Sequence, residues 1–78
     1  MTINLFSQTA INQNNSTNAD LSKNWFEQSL IVKEPAEKIK LLERAIILDE
    51  NNYKALQELG LTYIKMGQTE MGQSYLKS

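Results

Sequence analysis

From Asp20 onward, apolar residues return every three or four positions, whereas before it they are scattered among amides and hydroxyls. Leu21, Trp25, Ser29 and Val32 keep that spacing, which in an α-helix brings side chains onto one face. Asp20 suits the N-cap of such a helix, and Lys33-Glu34-Pro35 ends it. Pro35 disfavours helical geometry at Glu34 and fits the first turn of a new helix, where its missing N–H costs nothing. In that second helix Ile39, Leu42 and Ile46 form a stripe flanked by Leu41, Ala45 and Leu48, a broad apolar face that predicts neighbours on both sides.

Asp49, Glu50, Asn51 and Asn52 interrupt the pattern with turn and cap chemistry, Asn52 being the expected N-cap of a third helix. Its run is Leu56, Leu59, Gly60, Tyr63, Ile64 and Met66. Gly67 supplies the left-handed position that commonly ends a helix, and Thr69 with Glu70 begins a fourth, short one carrying Gly72, Met71, Tyr75 and Leu76. Residues 1–19 show no such order. All charged residues fall between Asp20 and Lys77, and Asn, Gln, Ser and Thr surround Ile3, Leu5, Phe6 and Ile11. The expectation for 1–19 is a disordered, uncharged arm, with docking of Ile3, Phe6 and Ala10 as a short amphipathic segment as the alternative. Residues 20–78 are expected to form the helical domain.

Charge and composition narrow the chemistry. Eight basic and nine acidic residues give a net charge of −1, with the signs interspersed, so a phosphate-tracking surface is not expected and no nucleic-acid partner is assigned. Neither Cys nor His occurs, which removes disulfides, thiolate zinc sites and every catalytic scheme based on imidazole or thiol. The Glu residues read as solvated faces and turns with no paired carboxylates in a pocket, so no enzyme activity, cofactor or metal is expected. No apolar run reaches the ~20 residues of a membrane span, and no basic start precedes a compact apolar block as in a secretory signal. The expected location is cytoplasmic, although a processed exported form would look the same.

The helices repeat. A period of 34 aligns Trp25 with Leu59, Phe26 with Gly60 and Leu42 with Leu76. Leu56-x₂-Leu59-Gly60-x₂-Tyr63, followed by Gly67, Gly72 and Leu76, resembles the tetratricopeptide repeat, and Arg44 to Asn52 is similar to the end of that family's second helix and its inter-repeat turn. Glu50 replaces the usual turn Pro, Lys38 stands where a small residue is expected, and Phe26 and Ser29 replace the Gly and Tyr of the first copy, an exchange that could conserve volume. The resemblance implies an all-α fold: two helix-turn-helix repeats, about 19–52 and 53–78, in a short right-handed α-solenoid.

It also implies a non-catalytic protein-interaction module, an adaptor, scaffold or small chaperone, whose groove binds a peptide or partner helix. The positions that map onto this groove are Lys23, Glu27, Leu30 and Ile31 in the first repeat and Lys54, Gln57, Leu61, Ile64 and Lys65 in the second. Leu30, Leu61 and Ile64 lie off the main packing stripe and suit an apolar groove floor; the alternative is that they pack inside the solenoid or against the N-terminal arm. Lys23 fits the carboxylate-gripping pattern of heat-shock cochaperones in the family, but Glu27 stands where an amide is wanted and would repel a carboxylate. Stacked repeats generally need about three units and a polar cap. Two repeats without one leave Met71, Tyr75 and Leu76 as an open end, expected to be covered in a homodimer or hetero-assembly. A structural subunit whose role is self-assembly and a fragment of a longer array are the alternatives.

Overall fold

The computed structural model describes residues 17–77. Four helices follow one another: α1 (Asn18–Ile31), α2 (Pro35–Leu48), α3 (Tyr53–Lys65) and α4 (Thr69–Leu76). α1 pairs with α2 and α3 with α4 as antiparallel hairpins, and α2 also packs on α3, so it is covered on two sides as its broad apolar face requires. Among the described residues there is no strand. The all-α hairpin architecture expected from the sequence is therefore present. The docking segment Ile3–Phe6–Ala10 lies outside the described residues.

The N-terminus of α1 corrects the sequence reading. Its N-cap is Thr17, not Asp20. The Thr17 hydroxyl accepts from the Asp20 amide at 3.1 Å while the Asp20 carboxylate accepts from the Thr17 amide at 3.2 Å, a reciprocal capping box that satisfies two otherwise free donors. Asp20 thus lies at the third helical position, where its charge also faces the positive end of the helix dipole. Asn18 and Ala19, expected in the arm, are helical.

The packing face of α1 differs from the one expected at its first position. Trp25 and Ser29 face inward as the spacing requires, but Leu21 is 38% exposed and Ser22 beside it is completely buried. The observed stripe is Ser22, Trp25, Phe26 and Ser29, again at spacings of three and four. Small side chains let the two helices approach, and hydrogen bonding removes the cost of burying their hydroxyls. The Ser22 hydroxyl donates to the Ala45 carbonyl in the last turn of α2 at 2.6 Å and accepts from Asn52 Nδ2 at 2.9 Å. Asn52 Oδ1 in turn accepts from the Ala55 amide, which makes Asn52 the N-cap of α3. One buried hydroxyl thereby joins α1, α2 and the start of α3.

Leu42, Ala45, Ala55 and Leu59 are fully buried and form the centre of the core, with Trp25, Phe26, Ile39, Ile46, Tyr63 and Tyr75 around them. Lys38, at the position of an expected small residue, is half-buried. Its ammonium donates to the Ser29 carbonyl at 3.1 Å and lies 3.2 Å from the Glu58 carboxylate. Ser29 being small is what admits it, and the cation ties α1 and α3 to α2.

The second hairpin closes differently. A Cβ built on Gly60 would meet the Gly72 carbonyl oxygen at 2.7 Å, and one on Gly72 would meet the Gly60 carbonyl oxygen at 2.5 Å, so only paired glycines allow this crossing. α3 ends as expected at Gly67, whose φ is +86°. The Gln68 amide donates to the Tyr63 carbonyl at 2.9 Å and the Gly67 amide to that of Ile64 at 3.0 Å, the two bonds of a Schellman ending.

Candidate protein-interaction surface

The residues expected to line one groove are divided among three clefts and the bare surface. At the starts of α1 and α3, Lys23, Glu27 and Lys54 surround a cleft of about 560 Å³ together with Phe26, Asn51 and Tyr53. Asp49 also lines it, so two lysines are matched by two carboxylates and the cleft has no net preference for an anion. Gln57 lies in a second cleft of about 310 Å³, with Tyr53, Leu56, Tyr75 and Leu76. Lys65 lines a third, also of about 310 Å³, at the opposite ends of α1 and α3, with Val32, Lys33, Lys38 and Met66.

Leu30, Ile31 and Leu61 are exposed and line none of the three. Ile64 is half-buried against Gly72, inside the α3–α4 hairpin. Of the three residues expected at the open end, Tyr75 and Leu76 share the second cleft, while Met71 stands apart beside Gly67 and Gln68 at the start of α4.

Tyr53 borders two clefts and is 67% exposed, yet sequence reasoning passed over it. The available signal was an aromatic residue immediately after the N-cap and off the apolar stripe of α3, where nothing in its own hairpin could cover it. Phe26 was read only as packing, but it also forms part of the first cleft.

The face beyond α2 is built around Tyr63. Its ring stacks on Tyr75, centroids 5.7 Å apart and planes 3° from parallel, and its hydroxyl lies 3.4 Å from the Glu43 carboxylate. Burial foremost, then the negative charge of Glu43, holds the Tyr63 phenol above its ordinary pKa. On the α1 side, the Arg44 guanidinium sits 5.0 Å above the Trp25 ring, a cation–π contact. Among the described residues no group of three or more His, Cys, Asp or Glu is placed to hold a metal ion, and no helix is long and apolar enough to cross a membrane.

Residues 41–74 match the family model of the tetratricopeptide repeat. The matched stretch begins within α2, takes in all of α3 and ends within α4, so it covers the α2–α3 packing, the Asn52 cap, the Gly60–Gly72 crossing and the Gly67 ending. No curated protein and no solved structure gives a significant match. Repeats of this family generally bind protein partners and are non-catalytic. The chain therefore carries a tetratricopeptide repeat, at residues 41–74, within two packed helical hairpins.

Proposed function

We propose that this chain is an adaptor-like interaction module that holds a segment of a partner protein, extended or helical, against the faces of α1 and α3. The observation that carries the reading is the gathering of Lys23, Glu27 and Lys54 with Phe26 and the exposed Tyr53 around one cleft between the two helices. Aromatic side chains flanked by both signs of charge supply contact area together with directional polar groups, the composition of protein-binding surfaces. A photo-crosslinking side chain in place of Lys54 should capture a discrete partner in cells, and the same group in place of Lys40, exposed on α2, should not. Absence of an adduct from position 54, or identical adducts from both positions, would refute the reading.

Self-assembly is the second reading, and Leu76 favours it. This side chain is 43% exposed beside a cleft it shares with Tyr53 and Tyr75, an apolar surface that a second chain would cover. Light scattering at about 100 μM decides it, since a dimer interface of useful strength is saturated there. A monomeric mass would leave only the first reading.

A further inference from the structure

The ends of α1 and α3 carry a different chemistry from their starts. The cleft there is lined by Val32, Lys33, Pro35, Lys38, Lys65 and Met66, three cations with no carboxylate among the lining residues, although the chain as a whole has a net charge of −1. Lys38 is held by Glu58 and the Ser29 carbonyl. Among the described residues neither Lys33 nor Lys65 has an ion-pair partner. The nearest other acids in sequence, Glu34 and Glu37, lie exposed on the adjoining first turn of α2, and Glu37 is 3.7 Å from Lys40.

The same end is apolar between its charges. Ile31 is 75% exposed in the last turn of α1, and Leu61 lies on the exposed face of α3 one turn before Lys65. The 34-residue period makes Ile31 and Val32 the counterparts of Lys65 and Met66, and Val32 shares the cleft with Lys65 and Met66.

We infer that this end of the α1–α3 surface receives an acidic segment of a partner protein in which carboxylates alternate with aliphatic side chains. Its carboxylates meet Lys33 and Lys65, and its apolar side chains rest on Val32 and Met66. Nucleic acid is the poorer match, because the described residues that line this end include two cations without an ion-pair partner and no ring on which a base could stack; Phe26 and Tyr53 are both at the opposite end. The inference rests on the interaction-module reading and adds the chemistry of the partner.

The probe is a fluorescein-labelled nine-residue peptide of alternating glutamate and leucine, blocked at both ends so that no terminal carboxylate contributes. Anisotropy should rise saturably, and binding should weaken as salt increases through physiological ionic strength. Replacing Lys33→Gln and Lys65→Gln together should weaken it about three- to tenfold, two partly screened ion pairs being lost. Lys23→Gln with Lys54→Gln, at the other end, should leave it within about twofold, since charges that far apart are screened. All four lysines are exposed, and matched melting curves would confirm that both variants fold. Amide shifts on titration should concentrate at residues 31–33 and 61–66.

The inference is overturned by absence of saturable binding, or by a peptide of alternating glutamate and serine or a nine-nucleotide thymidine strand binding as tightly. A loss carried by the Lys23 and Lys54 pair instead would also overturn it while leaving the module reading intact. Failure of the crosslink at position 54, with this peptide still bound, would do the reverse.

Discussion

Replacing Gly60 by alanine should unseat α4. Alanine is the better helix former by ~0.8–1 kcal/mol, so on propensity alone the variant would be more stable. Space decides otherwise. The added Cβ would lie 2.7 Å from the Gly72 carbonyl oxygen and 2.8 Å from Leu76 Cγ, and the first of these is backbone that cannot rotate aside. Relief requires the two helices to move apart, which loosens Leu76 on Gly60, Ile64 on Gly72 and the Tyr63–Tyr75 stack together. Overpacking of this kind costs about 2 kcal/mol, the middle of its usual range, which outweighs the propensity gain and leaves a net loss of about 1 kcal/mol. In a domain of this size that corresponds to a melting temperature lower by roughly 4–8 °C. α4 is eight residues long and has no side-chain cap, so the damage should concentrate there. Circular dichroism melts and amide exchange over residues 69–76 measure both effects. A Gly60→Ala protein that melts at the same or a higher temperature, with α4 amides still protected, would refute the argument. Gly67→Ala provides the contrast. Nothing lies within 4 Å of its Cβ, and its cost of ~1 kcal/mol comes from the left-handed backbone alone, so the helix crossing should stay intact.

Three other substitutions test the polar side of the fold. Ser22→Ala removes two hydrogen bonds and should cost about 1–3 kcal/mol in chemical denaturation, with Asn52→Ala costing less in its presence than alone because the two side chains share one network. Lys38→Met, which keeps the apolar stem but not the bonds to Ser29 and Glu58, should cost about 1–2 kcal/mol; an unchanged midpoint would deny the cation its role between hairpins. Because the folded-state pKa of Tyr63 is raised above 10.0, the folded protein holds this proton more tightly than the unfolded chain. The associated stability is fully present below pH 10 and declines as pH rises through and beyond it, and Glu43→Gln should make that decline shallower.

The helices themselves were legible because their signals are local. Pro35 at the start of α2, Asn52 at the cap of α3 and Gly67 at its end each act through the backbone geometry of the residue or its immediate neighbours. A glycine inside an apolar helical stripe, as at Gly60, signals close approach of another helix, whereas its pairing with Gly72 is set by packing. One position of α1 was not legible for a related reason. Hydrophobicity pointed to Leu21, but beside the expected Trp25 and Ser29 the helix buries Ser22, and burial of a serine pays only when an acceptor such as the Ala45 carbonyl waits on another helix.

The groove followed the same rule. The family resemblance placed nine residues in one groove, yet Lys54 and Lys65 stand at the two ends of the thirteen-residue α3 and so line separate clefts, and the packing of the hairpins decides that Lys23 joins Lys54. The sequence by itself determined four helices, their punctuation and the 34-residue period, because caps, proline, glycine and 3.6-residue periodicity act over a few bonds. Tertiary structure alone decided that α1 buries Ser22 rather than Leu21, how Lys38 is neutralised and which lysines share a cleft, because each depends on atoms that are distant in the chain and brought together by packing.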